Sequence, residues 1–462
     1  MNVPAHLDTP PVTRVALTGA AGGFGRTVLL ALRTHPAQRP TVLCDLDLGA
    51  LRSTMVSLGY ADHELQECSA GESVRQAVAA GHIALVETIA HLDPAAYDVL
   101  IESTGVVGVS ARAAVAAIDA SRPVVLASKE TESLFGRALA RRARARGVVS
   151  TTGAGDQPAN LLALLHWAQR LGLEVVAAGK SSEYDLVLDR ATGRASVLDN
   201  ATPASRLTDH WNLGEDIGAT LAARRAAVGQ LRLGAAADYC EIAVVANLSG
   251  RGVDVPGLHY PIVRYRELAD VFRTRSDGGI LSSSGVLDVF VLLREADEAS
   301  FAGGEFIVVR CHDREVARML EQKGHVVSRS HDHLCIGLPF HLMGLEIPGT
   351  IADVVAGVAA GEPSERRLAM VACAAADLPA GTAFTVTGHH HEIEGTRPEL
   401  VSSHDAGPHL VPYYLLDGAR LRHPVAAGAA IRYADVEGID PLLLELAAED
   451  RIADRSPAEG VS

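Results

Sequence analysis

An apolar run at residues 12–18 (VTRVALT) ends in Gly19-Ala20-Ala21-Gly22-Gly23-Phe24-Gly25 and opens into the helix-forming stretch 26–32 (RTVLLAL). A strand ends, the chain turns through glycines, and a helix begins. Glycine is required where the backbone approaches a bound group closely or takes dihedrals that a Cβ blocks. The helix start presents free N–H groups and a partial positive charge, which suit phosphate. A second apolar run, Thr41-Val42-Leu43-Cys44, ends at Asp45, twenty residues after Gly25. In a dinucleotide-binding βαβ unit, a carboxylate at that distance accepts from a ribose 2′-hydroxyl. The spacing is G-x-x-G-x-x-G rather than G-x-G-x-x-G, and an ordinary tight βα turn is the competing explanation. The expected cofactor is NAD(P). Asp45 favours NAD, because a carboxylate repels a 2′-phosphate.

The alternation continues. Apolar segments at 97–102, 123–128 and 148–150 are joined by helical segments at 110–120 and 130–146. This predicts an α/β fold with a doubly wound parallel sheet of Rossmann type. Ligands of such sheets sit at the carboxyl ends of strands. That rule singles out Ser103, Thr104 and Gly105 for the cofactor, and the segments 128–132, 151–160 and 180–185 for chemistry. A helix at 158–171 and a strand at 174–179 extend the pattern. Strand-like runs at 239–246, 286–293 and 305–310 then suggest an α+β middle domain. Further on, 377–384 (DLPAGTAF) resembles 424–431 (PVAAGAAI), forty-seven positions later. Such a repeat predicts a small β-rich module, with 361–364 (GEPS) as its linker. The expected division is a flexible N-terminus (1–11), a dinucleotide-binding domain (12–155), a substrate and dimerisation domain (156–364), the β-rich module (365–449) and a disordered tail (450–462).

Composition narrows the partners. A net charge of −15 argues against nucleic acid and anionic membranes. The basic stretch 137–146 (RALARRARAR) has the spacing of an amphipathic helix packed on a sheet. Six scattered cysteines without a C-x-x-C pair fit a reducing compartment. Neither a secretory leader nor an uninterrupted apolar span is visible. The expectation is a soluble cytoplasmic protein acting on a small molecule.

Several side chains at strand ends are candidates for chemistry. Lys180 directly follows a strand, where an ammonium can polarise a carbonyl oxygen and pass it a proton. A surface ion pair with Glu183 or Asp185 is the alternative. Lys129 and Glu130 follow the strand at 123–128, where first-turn acidity alone would also explain Glu130. Asp156 and Gln157 precede a helix, and Asp156 fits a cap as well as a substrate contact. His331-Asp332-His333 and His389-His390-His391-Glu392 lack metal-ligand spacing and read as solvated loops.

The segments 124–132 (VVLASKETE), 155–160 (GDQPAN), 177–185 (AAGKSSEYD), 278–288 (GGILSSSGVLD) and 338–346 (LPFHLMGLE) occur in order. They are followed by 372–384 (ACAAADLPAGTAF) and 418–437 (GARLRHPVAAGAAIRYADVE). Together they resemble the homoserine-dehydrogenase-like oxidoreductases that carry a C-terminal SAF domain. That family includes a deoxyxylulose-5-phosphate reductoisomerase-like enzyme and sugar-acid oxidoisomerases. The resemblance implies an NAD(P)-dependent oxidoreductase for a small polar hydroxy or keto compound, sugar-acid or ketose-like, with or without carbon-skeleton rearrangement. It implies a homodimer, and a catalytic role for Lys180, Lys129, Glu130 and Asp156. Gln157, Glu183 and Tyr184, at strand ends, are expected to line the substrate site, and the resemblance adds His341. A divalent metal held by Glu130, Glu132 or Asp156 would suit reductoisomerase chemistry, which chelates a hydroxyketone.

The chain departs from the family pattern at two places. Relatives read N-V-E-A-D where 128–132 is SKETE, and G-K-G-T-K-Y where 179–184 is GKSSEY. Lys180 and Tyr184 are kept, but Glu183 replaces a lysine and would repel a substrate phosphate. Two other functions fit the pattern: homoserine-type dehydrogenation, and a non-catalytic dinucleotide sensor whose SAF module binds a carbohydrate.

Overall fold

The computed structural model describes residues 12–229, 231–363, 368–388 and 391–452. The expected flexible N-terminus (1–11) lies outside them, as do Ser364, His389, His390 and residues 453–462. The described residues form two compact units: those up to 156 with 342–360, and 157–341 with those from 361 onward.

The first unit is built on seven strands: β1 (Thr13–Thr18), β2 (Gln38–Cys44), β3 (Leu65–Glu67), β4 (Ile83–Val86), β5 (Val99–Glu102), β6 (Val124–Leu126) and β7 (Ser150–Thr152). All pair in parallel, in the order β3-β4-β2-β1-β5-β6-β7. The helices α1 (Gly23–Thr34), α2 (Leu48–Ser57), α3 (Gly71–Ala79), α4 (Val107–Asp119) and α5 (Lys129–Ala145) make the crossovers. This is the doubly wound sheet expected from the apolar runs. Strand order reverses between β1 and β5, the place where such sheets hold ligands. The sequence pattern assigned 342–360 to the middle domain, whereas here that segment packs on the first unit. Ile347, Ile351 and Val354 enter the same core as Val15, Leu29 and Val125. Thr350 Oγ1 accepts from Ala154 N (2.9 Å), and Gln38 Nε2 donates to the Pro348 carbonyl (2.7 Å).

The second unit opens with α6 (Gln157–Arg170) and a mixed sheet. β8 (Val175–Ser181) lies between the parallel strand Val286–Arg294 and the antiparallel strand Glu305–Arg310. β9 (Leu186–Asp189), β10 (Arg194–Val197) and β11 (Asn200–Pro203) extend one side, and His333–Leu338 with Val326–Val327 the other. One expectation fails here. The run at 239–246 is not a strand but part of the helix Ala236–Ser249. Almost every face of that helix is buried, so its apolar residues show no helical period. Its limits are nonetheless encoded: Asp238 Oδ2 accepts from Ala235 N at the start (3.0 Å), and Gly250 closes it at φ 71°.

The repeated segments of the C-terminal region pair with each other. Leu378 and Val425, equivalent positions in the two copies, exchange N–H···O bonds of 2.9 Å in both directions. Gly381 N donates to Leu421 O and Gly428 N to Ala374 O, again equivalent across the repeat. Both glycines have positive φ, 84° and 81°. Phe384 and Ile431 fill matching core positions. The chain then ends its described part in the helix Pro441–Ile452, which occupies the first residues of the segment expected to be a disordered tail. All six cysteines are free thiols. No described helix is long and apolar enough to cross a membrane.

Candidate functional site

In the first unit the glycine turn lies against the loop after β5. Gly19 has φ 66°, and a Cβ there would meet Ser103 O at 2.5 Å. A Cβ on Gly25 would meet Gly19 O at 2.5 Å, so this glycine lets α1 pack on its own turn. A Cβ on Gly23, in contrast, meets nothing within 4 Å. No side chain caps α1, and no acidic residue stands in its first turn. The helix start, with Gly22, Gly23, Phe24 and Gly25, is therefore an open and electropositive cradle. Asp45, at the end of β2, reaches back to the turn and accepts from Ala21 N through Oδ2 (2.8 Å). The loop Ser103-Thr104-Gly105 is anchored at three points. Ser103 Oγ donates to the Thr18 carbonyl (2.6 Å), Thr104 N donates to Glu102 Oε1 (3.0 Å), and Gly105 N donates to Ser128 Oγ (2.8 Å). The predicted cofactor residues are thus brought together, and the arrangement fits a dinucleotide. Glu102 and Ser128, both buried, support it without having been read as site residues.

At the ends of β6 and β7, Lys129 Nζ lies 3.6 Å from Asp156 Oδ1. Glu130 is buried in the first turn of α5. Its neighbour Glu132 is buried too, and burial pushes its carboxyl up to about 8. The nearby Asp156 charge acts in the same direction, and a hydrogen bond with Thr152 opposes it. Glu132 is therefore a neutral acid over most of the physiological pH range.

In the second unit Lys180 is almost completely enclosed, with 1% of its side chain exposed. Its Nζ donates to Glu183 Oε1 (2.6 Å) and to Glu241 Oε2, and lies 2.8 Å from Asp238 Oδ1. Asp238 and Glu241 are as buried as the lysine, while Glu183 keeps 21% exposure. One ammonium thus faces three carboxylates. Asp238 and Glu241 stand three apart on one helix face, at the edge of and inside the run 239–246 read as a strand, which is why sequence reasoning missed them. A cavity of about 210 Å³ adjoins this cluster, lined by Glu183 and Tyr184 among others. The carboxylate oxygens of Glu183, Asp238 and Glu241 lie within 4.8 Å of one another. Among the described residues these are the acids close enough to share an ion, rather than Glu130, Glu132 and Asp156.

Gln157 and His341 meet over Gly303, whose φ is 70°. A Cβ there would come within 2.4 Å of His341 Cε1 and 3.1 Å of Gln157 Nε2. The next glycine accepts from Ser181 N through its carbonyl (2.8 Å), and Glu305 stands opposite Lys180 in register. Gln157, His341 and Lys180 therefore share one end of the sheet. His333, expected in a solvated loop, is instead fully buried at the start of a strand. Its Nδ1 lies 2.7 Å from Asp332 Oδ1. Asp332 thus satisfies Nδ1 of the buried ring.

Residues 233–347 match the family model described as the catalytic domain of the oxidoreductase DRL. The matched segment contains Asp238 and Glu241, and it supports an oxidoreductase. No curated protein matches the chain. Among solved structures, 1-deoxy-D-xylulose 5-phosphate reductoisomerase from Zymomonas mobilis, in complex with NADPH, aligns at 17% identity over 37% of this chain and 46% of its own, with a TM-score of 0.27. An oxidoreductase from Agrobacterium radiobacter, in complex with NAD+, L-tartaric acid and magnesium, aligns at 14% identity over 39% and 46%, with a TM-score of 0.26. In both cases the chain spans less than half the length of the structure it matches. The WlbA dehydrogenase from Bordetella pertussis, in complex with NADH and UDP-GlcNAcA, aligns at 12% identity over 76% and 90%, with a TM-score of 0.37.

Proposed function

We propose that this protein is an NAD(P)-dependent oxidoreductase acting on a small polar hydroxy or keto compound of the sugar-acid or ketose kind. The observation that carries this reading is the enclosure of Lys180 by Asp238 and Glu241, two residues of the segment that matches an oxidoreductase catalytic domain. The glycine turn supports it from the first unit. There Gly22–Gly25 would hold a pyrophosphate, Asp45 a ribose hydroxyl, and Ser103–Gly105 the neighbouring part of the cofactor. Asp45 favours NAD over NADP. When bound, the nicotinamide supplies or takes up the hydride.

The chain's own residues handle the substrate oxygen. Lys180 has its N–H groups turned to carboxylates, and Glu183 is the partner with solvent access. A substrate oxygen that takes the place of Glu183 receives a hydrogen bond from the Lys180 ammonium, which Asp238 and Glu241 hold in place. That contact is worth most as negative charge develops on the oxygen. Tyr184, Gln157 and His341 are the proposed substrate contacts, and Lys129, Glu130 and Asp156 the proposed groups at the cofactor side. Glu183, Asp238 and Glu241 also offer the hard oxygen donors that a divalent cation prefers. Such an ion would compete with the Lys180 ammonium for these three acids. Glu183 disfavours a phosphate at this position. The paired repeat supports an SAF-like reading of 365–449, and a two-fold dimer is the proposed assembly.

The test is nicotinamide absorbance with the full chain, NAD(H) or NADP(H), and a panel of sugar acids, ketose phosphates and homoserine. Turnover of a sugar acid or free ketose is expected, and product NMR then shows whether the skeleton rearranges. Turnover of homoserine alone would move the protein to amino-acid metabolism. No turnover of any compound would leave a dinucleotide-binding protein without this activity.

A further inference from the structure

We propose that a second cavity in the 157–341/361–462 unit, about 670 Å³ in volume, binds a small organic anion through a carboxylate or a phosphate. The cavity lies between the loops around the helix Ala236–Ser249 and the C-terminal module. Arg225, Arg232, His259 and Arg397 line it, against one acid, Glu392. Three guanidiniums and an imidazole are thus gathered around one hollow of a chain whose net charge is −15. Its volume is in the range of sites that enclose small ligands.

Part of this charge is neutralised within the fold. Arg232 pairs with Glu392, and Arg397 with Glu399. His259 stands between Asp288 (Nδ1 to Oδ2, 2.5 Å) and Asp254 (Nε2 to Oδ2, 3.4 Å). Arg225 is different: among the described residues no carboxylate lies within ion-pairing distance of it. An incoming oxyanion would pair with Arg225 and share the guanidinium of Arg397, gaining charge-assisted hydrogen bonds. The body of the ligand has two aromatic rings to rest on, inclined at 41° to each other. The rings of Tyr239 and Tyr260 line the cavity with centroids 5.9 Å apart. Their hydroxyls are already committed, Tyr239 to the Gly257 carbonyl (2.7 Å) and Tyr260 to Asp238 Oδ2 (3.0 Å). The wall therefore offers ring faces and cations rather than hydroxyl donors. This hollow is distinct from the smaller one beside Glu183, although residues 232–235 line both.

Calorimetric titration of the full chain with inorganic phosphate, and separately with succinate, tests the site, with sodium chloride at matched ionic strength as the control. At least one probe is expected to bind saturably. Its affinity should fall roughly tenfold or more in Arg225→Glu, as expected when a charge-assisted contact is lost, and should be kept in Glu183→Gln. The better of the two probes identifies the anion class. Should circular dichroism show that Arg225→Glu is misfolded, Arg397→Gln serves in its place, with the same expected direction. Three outcomes would overturn the proposal: no saturable binding beyond the salt control, equal affinity in the arginine variants, or tighter binding in Glu183→Gln, the change expected were the anion held at Lys180 instead.

Discussion

Lys180 Nζ lies 2.8 Å from Asp238 Oδ1, and the two side chains are 1% and 0% exposed. A pair this deeply buried is costly to form and costlier to break, since each partner alone would be an uncompensated charge. Asp238 is fixed in turn by Tyr260 and by the backbone of Ala235. The lysine is therefore pre-positioned, and pre-positioned charge is what a reacting oxygen can use without reorganisation. Only Glu183, the outer member of the cluster, is placed to exchange with a ligand.

The glycine turn separates binding from folding. Gly22 has φ −69°, which any residue adopts, but a Cβ there already comes within 3.3 Å of Gly19 O. Gly22→Val is expected to leave the fold intact and to abolish cofactor binding, because its methyl groups would fill the cradle. Gly25→Val places a Cβ against the backbone at 2.5 Å and should destabilise the unit itself. Circular dichroism and NAD(H) titration of both variants distinguish the two effects.

Asp45 is expected to make NAD(H) bind more tightly than NADP(H). Repulsion between its carboxylate and a 2′-phosphate should be worth on the order of 1–3 kcal/mol, the scale of a like-charge pKa perturbation. Asp45→Ser should narrow that preference. Fluorescence titration with both cofactors measures it, and tighter NADPH binding by the wild type would contradict the assignment.

Glu132 gives a pH dependence with a definite sign. Its carboxyl is raised in the folded state to about 8 from 4.5. The stability associated with it is fully present below 4.5 and is lost as pH rises through about 8. His259 adds a loss of the same sign. Burial alone would lower its pKa, but the Asp288 hydrogen bond and the charges of Asp288 and Asp254 raise it. Glu132→Gln should therefore be more stable than wild type above pH 8, by an amount on the order of a few kcal/mol. Urea denaturation at a series of pH values is the measurement, and an unchanged profile in Glu132→Gln would sink the assignment.

Assembly is the next expectation. Light scattering at micromolar concentration should report a two-fold dimer, the commonest closed arrangement. A mass of 48.4 kDa would show a monomer instead.

Much of the first unit could be read from local signals. The turn 19–25, Asp45 and the loop 103–105 each follow a short apolar run, so strand-end logic located them. Lys180, Glu183 and Tyr184 were found in the same way. What escaped reading depends on distant packing. Residues 239–246 are apolar except for Glu241 because their helix is buried all round, and a mostly apolar run of that length looks like a strand. The stop at Gly250 and the acid at 238 were the available corrections. With the helix misread, Asp238 and Glu241 had no common face and so no visible link to Lys180. The return of 342–360 to the first unit left no compositional mark, because Ile347 and Ile351 would suit any core. The repeat at 377 and 424 was visible, but the pairing of its two copies was not, since equivalence in sequence does not specify contact.

The most direct test is the turnover number of Lys180→Ala beside wild type, on whichever compound of the panel reacts. Circular dichroism should verify folding, because three carboxylates are left facing one another, and Lys180→Met is the companion variant. The expected result is a loss of roughly 100-fold or more in kcat, as for removal of one preorganised electrostatic donor. NAD(H) affinity should be unchanged, because the glycine turn holds the phosphates. Near-normal turnover in both folded variants would show that the Lys180 cluster is a structural ion pair, and would contradict the central claim.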